Sequence, residues 1–197
     1  GDARDRLLRE ARAAAALSHP HVVAVHDVGE HHHMPYFVME LVQGPSLKER
    51  PPESLEQTIE LAVQICDALT HAHEHSLVHR DLKPANVLYA TTSGALSVKL
   101  VDLGLAIRES GLRVTREGGI SGTANYMAPE QALGQPIDAR TDLYALGVVL
   151  YEFTTGRLPF QGDNALAVIS QHLHAPVVPP RTYRADIPEH IESVILR

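Results

Sequence analysis

The segment from His79 to Asn86, which reads H-R-D-L-K-P-A-N, constrains the fold of this chain more than any other feature. It brings together the carboxylate of Asp81, the ammonium of Lys83 and the carboxamide of Asn86 within six residues. Groups of these three kinds can accept a proton, stabilise developing negative charge and ligate a hard cation such as Mg²⁺. Apolar stretches on either side predict short strands at Leu77-Val78 and from Val87 to Tyr89.

Two further motifs follow this segment. Asp102-Leu103-Gly104 comes after an apolar run, Val98 to Val101, that predicts a strand, and Ala128-Pro129-Glu130 comes next. The three motifs match the H-R-D-L-x-x-x-N, D-F-G and A-P-E signatures of protein kinases, with Leu103 in place of Phe. The chain therefore resembles the protein kinases nearly from end to end. Through residues 84–88 and 122–130 it is most similar to the bacterial eukaryote-like Ser/Thr kinases.

The resemblance implies a fold class and a domain organisation. The fold is expected to be α+β, with the two lobes of a protein kinase. Residues 1–44 would be the remainder of the small lobe, and residues 45–197 a mostly helical large lobe truncated at its C-terminus. Lys83 and Thr123 are choices typical of kinases that act on Ser and Thr. The expected cofactors are ATP and Mg²⁺, and the expected partners are proteins that bear Ser or Thr.

The resemblance also implies roles for individual residues. Asp81 would accept or orient the proton of the substrate hydroxyl, and Lys83 would lie near the transferred phosphoryl group. Thr123 would hydrogen-bond both of them. Asn86 and Asp102 would bind Mg²⁺ through oxygen atoms. The remaining nucleotide contacts are expected at Glu40 and Val42, through backbone groups, and at Leu88, beneath the base.

Three residues are expected to regulate the site. Arg80 would bind a phosphorylated residue of the segment 102–130, and Thr115 is favoured over the two serines of that segment. Glu10 would pair with the ATP-binding lysine of the small lobe. In addition, Asp142 is expected to accept hydrogen bonds from backbone amides of the catalytic loop.

Periodicity and turn signals predict the other elements. A helix is expected over residues 4–17, ended by His19-Pro20. Ser54 and Gln57 form a capping box that begins a long helix. The apolar face of that helix is expected to comprise Leu55, Ile59, Ala62, Cys66, Leu69 and Ala72. Strands are predicted from Val22 to Val28 and from Tyr36 to Val42, and helices at 140–155 and 163–174.

The composition limits the partners and the cellular compartment that can be expected. Seventeen basic and 24 acidic residues give a net charge of −7, which argues against nucleic acid as a partner. The single Cys66, expected to pack in the core, excludes an internal disulfide and fits a reducing compartment, so a cytoplasmic location is expected. Leu143 to Phe153 is too short to span a bilayer and predicts a buried helix instead. His71 and His75 stand one turn apart, but no third metal ligand is near in sequence.

Two parts of the kinase pattern are absent from the sequence: the Gly-rich loop that covers the ATP phosphates and the strand lysine that contacts them. We expect the chain to be a fragment of a complete kinase, truncated at both ends. One alternative is a naturally short, catalytically dead relative that serves as a binding or regulatory module. A small-molecule kinase is a weaker alternative, because such kinases lack the Ala128-Pro129-Glu130 segment.

The isolated chain should therefore be a poor or inactive kinase. Positioning and charge stabilisation supply nearly all of the catalysis in phosphoryl transfer, so the loss of two phosphate contacts should lower the rate by about a hundredfold or more. Incubation of the purified chain with radiolabelled ATP and Mg²⁺ should give no measurable autophosphorylation. Robust labelling would mean that another segment of the chain binds the phosphates.

Overall fold

The computed structural model describes residues 15, 17–32, 34–92, 95–103 and 124–197. Nearly all of the helix expected over residues 4–17 lies outside this part of the chain. The described residues form two antiparallel hairpins and a set of helices, which is the mixed α+β architecture that the sequence predicts.

The first hairpin joins strand β1 (Val25–His31) to strand β2 (Met34–Met39), with Val28 opposite Phe37. Strand β1 has the predicted length of seven residues but begins and ends three residues later than predicted, whereas β2 begins two residues and ends three residues earlier than predicted. Val22 instead forms a parallel bridge with Leu100. The backbone groups of residues 21–23 are bonded to that distant strand and are not available to extend the hairpin.

Helix α1 (Leu55–Glu74) begins where the capping box predicts. The side chain of Ser54 accepts a hydrogen bond from the backbone N–H of Gln57 at 3.1 Å. The predicted apolar face is wrong in part, because Ile59 and Cys66 are exposed. The buried residues of the helix are Thr58, Leu61, Ile65, Ala68, Leu69 and Ala72.

Helix α1 is thus rotated about its axis relative to the prediction, and the side chain of Gln64 accounts for this rotation. Its Nε2 donates to the carbonyl of Leu96 and its Oε1 accepts from the backbone N–H of Val98, both at 2.9 Å. These two bonds attach the helix to a neighbouring strand and turn Leu61 and Ile65 inward. A hydrophobicity pattern does not register such a contact, because Gln64 reads as a surface residue.

The second hairpin pairs strand β3 (Val87–Thr92) with strand β4 (Ala95–Leu100). Both strands were predicted, although each is longer than expected. The strand predicted at Leu77-Val78 is wrong. The N–H of Leu77 donates to the carbonyl of Ala72 at 3.0 Å, and Ser76 has a φ of 60°, so these residues end α1 instead.

Four helices follow in the last third of the chain: α2 (Pro129–Ala132), α3 (Ala139–Thr155), α4 (Ala165–His174) and α5 (Glu189–Ile195). The sequence predicts α3 and α4 to within two residues. Asp138 caps α3, and Gly156 ends it with a φ of 73°. Within the described ranges, no helix is long and apolar enough to cross a membrane.

The hydrophobic core lies between α1, the β3–β4 hairpin and α3. Its members come from all three elements and from the loop after β4. They include Leu61, Ile65, Leu69, Val87, Val98, Leu100, Leu103 and Leu146. The catalytic-loop segment runs from α1 to β3 along the edge of this core, and Leu82 anchors it there with 2% of its surface exposed.

Ile65 and Val63 on α1 allow a matched test of the core. Ile65 is 2% exposed and Val63 is 64% exposed. Ile65→Ala should lower the free energy of unfolding by about 2–4 kcal/mol, because it leaves a cavity. Val63→Ala should change it by less than about 0.5 kcal/mol. Urea denaturation followed by circular dichroism measures both, and equal losses would contradict the observed rotation of α1.

Candidate active site

The side chains of Asp81, Lys83 and Asn86 meet in one cluster. Lys83 Nζ donates to Asp81 Oδ2 at 2.7 Å. Asn86 Nδ2 donates to the backbone oxygen of Asp81 at 2.8 Å and to Asp81 Oδ2 at 3.2 Å. The residues Pro84–Asn86 form a single 3₁₀ turn that brings Asn86 back towards Asp81. Two donors therefore converge on one oxygen of Asp81 and fix the orientation of its carboxylate.

The buried carboxylate of Asp142 anchors this loop from α3, as the sequence predicts. Asp142 Oδ2 accepts from the backbone N–H of His79 and Oδ1 accepts from that of Arg80, both at 2.8 Å. The ring Nε2 of His73 lies 2.7 Å from Oδ2. Asp142 has no exposed surface, and three hydrogen bonds compensate for its burial.

The backbone at the site adopts left-handed conformations at two non-glycine residues. Arg80 has a φ of 70° and Asp102 a φ of 62°. Each such conformation costs on the order of 1 kcal/mol or more for a residue with a side chain. At Arg80, bonds on both sides offset this cost, because Gln131 Nε2 on α2 donates to its carbonyl at 2.8 Å. The fold thus maintains a strained turn directly before Asp81.

Oxygen atoms of the kind that Mg²⁺ prefers are found in the loop and in the residues that follow β4. The N–H of Val101 donates to the carbonyl of Asn86 at 3.0 Å, which sets Asp102 beside Asn86. The carboxamide nitrogen of Asn86 faces Asp81, so its oxygen is directed away from Asp81. Asp102 is exposed. One carboxylate and one amide oxygen suit Mg²⁺, which usually keeps waters and phosphate oxygens as its other ligands.

Metal binding by side chains alone has no support in the described ranges. There, no group of three or more His, Cys, Asp or Glu residues could bind a metal ion. His71 and His75 do contact each other, with ring centroids 4.5 Å apart. His75 Nδ1 lies 2.8 Å from the carbonyl of His71, so that ring nitrogen is already occupied by a backbone group of α1.

The face of the second hairpin that points away from the core carries Leu88. Its neighbours Val87 and Tyr89 are buried, whereas Leu88 is half-buried and lies opposite Lys99 on β4. Glu40 reaches the same face, because its carboxylate contacts Lys99. Val42 is half-buried and lies just before residues 45–47, which bond to β3. The expected adenine contacts at Glu40 and Leu88 therefore border one surface, and Val42 follows Glu40 by two residues.

Three of the expected site residues, Glu10, Thr115 and Thr123, lie outside the described residues. Their roles remain predictions. Arg80 lies next to Asp81, on the turn that Asp142 and Gln131 hold. It is therefore positioned by the same contacts as the catalytic loop.

Sequence reasoning did not identify Tyr126 and Glu152 as a pair. Tyr126 Oη donates to Glu152 Oε2 at 2.6 Å, and burial raises the pKa of Glu152. Burial and this carboxylate also raise the pKa of Tyr126, so the tyrosine stays protonated as the donor. The two residues are 26 positions apart, and no spacing rule connects them.

A cavity of about 450 Å³ opens beside Lys83 and the Tyr126–Glu152 pair. Apolar side chains form much of its remaining wall. Leu47, Pro51, Pro84, Phe153 and Leu158 are among them. The cavity therefore offers an apolar depression with half-buried polar groups next to the cluster of Asp81, Lys83 and Asn86.

Glu130, the last residue of the third motif, has a partner within the chain. In the structure, Glu130 Oε1 accepts a hydrogen bond from Thr141 Oγ1 at the start of α3. This contact joins the third motif to the helix that carries Asp142.

Two buried histidines make the stability depend on pH. Burial lowers the pKa of His79 and of His172 below the ordinary value of 6.5. Below that value the unfolded chain takes up protons that the folded protein excludes, so the free energy of unfolding should decrease as the pH falls. Each excluded proton contributes at most about 1.4 kcal/mol per pH unit.

Urea denaturation between about pH 7.5 and about pH 5.5 measures this dependence. His172→Asn should reduce the slope of unfolding free energy against pH. His174→Asn, which replaces an exposed histidine on the same helix, should leave the slope unchanged. A pH-independent free energy of unfolding in the unmodified protein would contradict the assignment.

Comparisons with known proteins agree with this geometry. The family model described as protein kinase domain matches residues 1–193. The chain is 42% identical over 202 residues to the serine/threonine-protein kinase PknB of Mycolicibacterium smegmatis, covering 98% of this chain and 32% of that protein. It is 36% identical over 196 residues to the serine/threonine-protein kinase PrkC of Bacillus subtilis, covering 98% and 30%. The chain spans about a third of the length of these relatives.

Proposed function

The chain belongs to the protein kinase domain family, and on that premise we propose that it forms part of the catalytic unit of a Ser/Thr protein kinase. The unit transfers the γ-phosphate of ATP to Ser or Thr hydroxyls of proteins. The observation that carries the proposal is the convergence of Lys83 and Asn86 on the carboxylate of Asp81. We further infer that residues 1–44 belong to the small lobe and residues 45–197 to the large lobe.

In this proposal Asp81 accepts or orients the proton of the substrate hydroxyl. The contacts from Lys83 and Asn86 hold its carboxylate in one orientation before a substrate arrives, which lowers the cost of reaching a reactive geometry. The ammonium of Lys83 brings positive charge to the place where negative charge develops on the transferred group. Thr123 is assigned to hydrogen-bond both residues.

ATP supplies the phosphoryl group, and Mg²⁺ supplies the charge that neutralises it. Asn86 and Asp102 are the residues assigned to Mg²⁺, since they offer neighbouring oxygen donors of the kind this cation prefers. The backbone groups of Glu40 and Val42 are assigned to the adenine base, with Leu88 beneath it. The half-buried, outward-facing position of Leu88 supports this assignment.

The cavity beside Lys83 is the candidate surface for a polypeptide substrate. A substrate hydroxyl near Asp81 requires neighbouring residues of the substrate to lie close to Lys83, which also lines this cavity. The apolar wall can accept side chains of an extended peptide. The catalytically dead alternative has no such support, because Asp81, Lys83, Asn86 and Asp102 are all present in the chain.

Control of the site is assigned to Arg80, Thr115 and Glu10. A phosphate on Thr115 would add close to two negative charges, and Arg80 could bind it through charge-assisted hydrogen bonds. Since Arg80 directly precedes Asp81, such a contact would act on the catalytic loop itself. Glu10 would align the small lobe through the ATP-binding lysine of the family.

The test is phosphoryl transfer to a Ser/Thr peptide by a protein in which this chain follows a Gly-rich loop and a strand lysine of the kinase type. Asp81→Asn should lower the rate by about a hundredfold or more, because the proton acceptor is lost. Asp163→Asn, at an exposed carboxylate outside the site, is the control and should leave the rate unchanged. Undiminished transfer by the Asp81→Asn protein would refute the proposal.

A second variant in the same experiment separates metal binding from folding. Asp102→Ala should abolish transfer and should weaken the binding of Mg·ATP more than that of free adenosine, because only the former includes the cation. Isothermal titration calorimetry with both ligands measures the difference. Equal weakening of the two ligands would mean that Asp102 supports the fold and not the metal.

A further inference from the structure

The ion pair between Lys99 and Glu40 has no part in the roles assigned above. We propose that Lys99 is a positioning residue for nucleotide binding, which fixes the backbone from Glu40 to Val42 against strand β4. This inference rests on the proposed function, because it takes those backbone groups to meet the adenine base. Lys99 itself is not assigned a contact with the nucleotide.

The contact between the two side chains is close and mostly shielded from water. Lys99 Nζ lies 2.5 Å from Glu40 Oε1, and the two side chains are 20% and 27% exposed. Among the described residues, this carboxylate oxygen has no aligned hydrogen-bond donor, so the attraction is chiefly that of two opposite charges. A charge in this setting is costly to leave unpaired, because little water can replace the lost partner.

Lys99 also joins a third segment to this pair. Its ammonium donates to the carbonyl of Val22 at 3.4 Å. The segment from His21 to Ala24 lies between the two ends of the ion pair. On one side it bonds to β4, through Leu100 N–H to the carbonyl of His21 and Val23 N–H to the carbonyl of Leu100, both at 2.9 Å.

On its other side, the same segment bonds to Glu40. The backbone N–H of Glu40 donates to the carbonyl of Ala24 at 2.9 Å. The connection from β4 to the backbone of Glu40 thus runs along two routes, one through the segment His21–Ala24 and one through the side chain of Lys99. Closing both routes restrains Glu40 in direction as well as in distance.

The position of Lys99 on β4 relates this restraint to the rest of the site. Lys99 lies directly opposite Leu88, which is assigned to the floor of the adenine site. It also lies three residues before Asp102, which is assigned to Mg²⁺. One side chain therefore fixes the backbone groups on one side of the base relative to the strand that leads to the metal ligand.

Replacement of Lys99 tests this inference through nucleotide affinity, in the protein in which this chain follows a Gly-rich loop and a strand lysine. Lys99→Met keeps the aliphatic stem and removes the charge, so the dissociation constant of a fluorescent ADP analogue with Mg²⁺ should rise by about fivefold. Lys99→Arg keeps the charge and should restore most of the affinity. Arg197→Met, which removes an exposed cation just after α5, is the control and should bind as the unmodified protein does.

Glu40→Gln provides a second route to the same contact. It breaks the ion pair without altering the backbone groups of residue 40, and it should weaken binding as much as Lys99→Met. The double variant should lose no more than either single one, since both remove one interaction. Affinity unchanged in Lys99→Met, or reduced equally in Lys99→Arg, would overturn the inference.

A measurement on the free protein separates this inference from the proposed function. Hydrogen exchange at the backbone amides of residues 40–42 should be about fivefold faster in Lys99→Met than in Lys99→Arg, because the restraint acts without a nucleotide. If the protein in which this chain follows a Gly-rich loop and a strand lysine binds no nucleotide, that result counts against the proposed function, and the exchange rates of the free chain decide the inference alone. Equal exchange rates in the two variants would contradict the inference that Lys99 restrains this backbone.

Discussion

A buried carboxylate on helix α3 sets the geometry on which the site depends. Asp142 accepts the backbone amides of His79 and Arg80 with its two oxygens, and these amides directly precede Asp81. A carboxylate without solvent contact is tolerated only when hydrogen bonds replace its hydration. The stabilisation is therefore mutual, because the loop amides replace the hydration of Asp142 and Asp142 fixes the position of the loop. It also explains how Arg80 keeps a left-handed backbone at the surface of a well-packed core.

The second hairpin divides the molecule into a core and a site. Alternation along β3 sends Val87 and Tyr89 into the core and Leu88 outward. Gln64 attaches α1 to this hairpin, and this packing fixes the position of the hairpin and of the face that points away from the core. A one-residue slip of β3 against β4 would turn Leu88 towards the core and would place a different residue opposite Lys99. Packing on one face of the hairpin thus determines which side chains lie on the other face.

The sequence was sufficient to predict elements that local signals define. Ser54 and Gln57 predict the start of α1, and the motif of residues 79–86 identifies Asp81 and Asn86 because it is a fixed local pattern. What it could not supply are contacts between distant residues that read as ordinary surface positions. Gln64 rotates α1, Gln131 reaches Arg80, and Tyr126 bonds to Glu152 across 26 positions. The predicted strand at Leu77-Val78 is wrong for a similar reason. The hydrogen bond from Leu77 to Ala72 ends helix α1, and hydropathy alone does not indicate where that helix ends.

In the free protein, the charged side chains of the catalytic loop already contact one another. Lys83 and Asp81 are 21% and 23% exposed, so each has lost most of its water and depends on the other for compensation. An ammonium has three donors and no acceptor, and it can bind a second anion without releasing the first. A phosphate group that enters the site therefore need not displace Asp81 from Lys83. The carboxylate keeps the orientation that Asn86 and Lys83 impose, and the ammonium is in place before an anion enters.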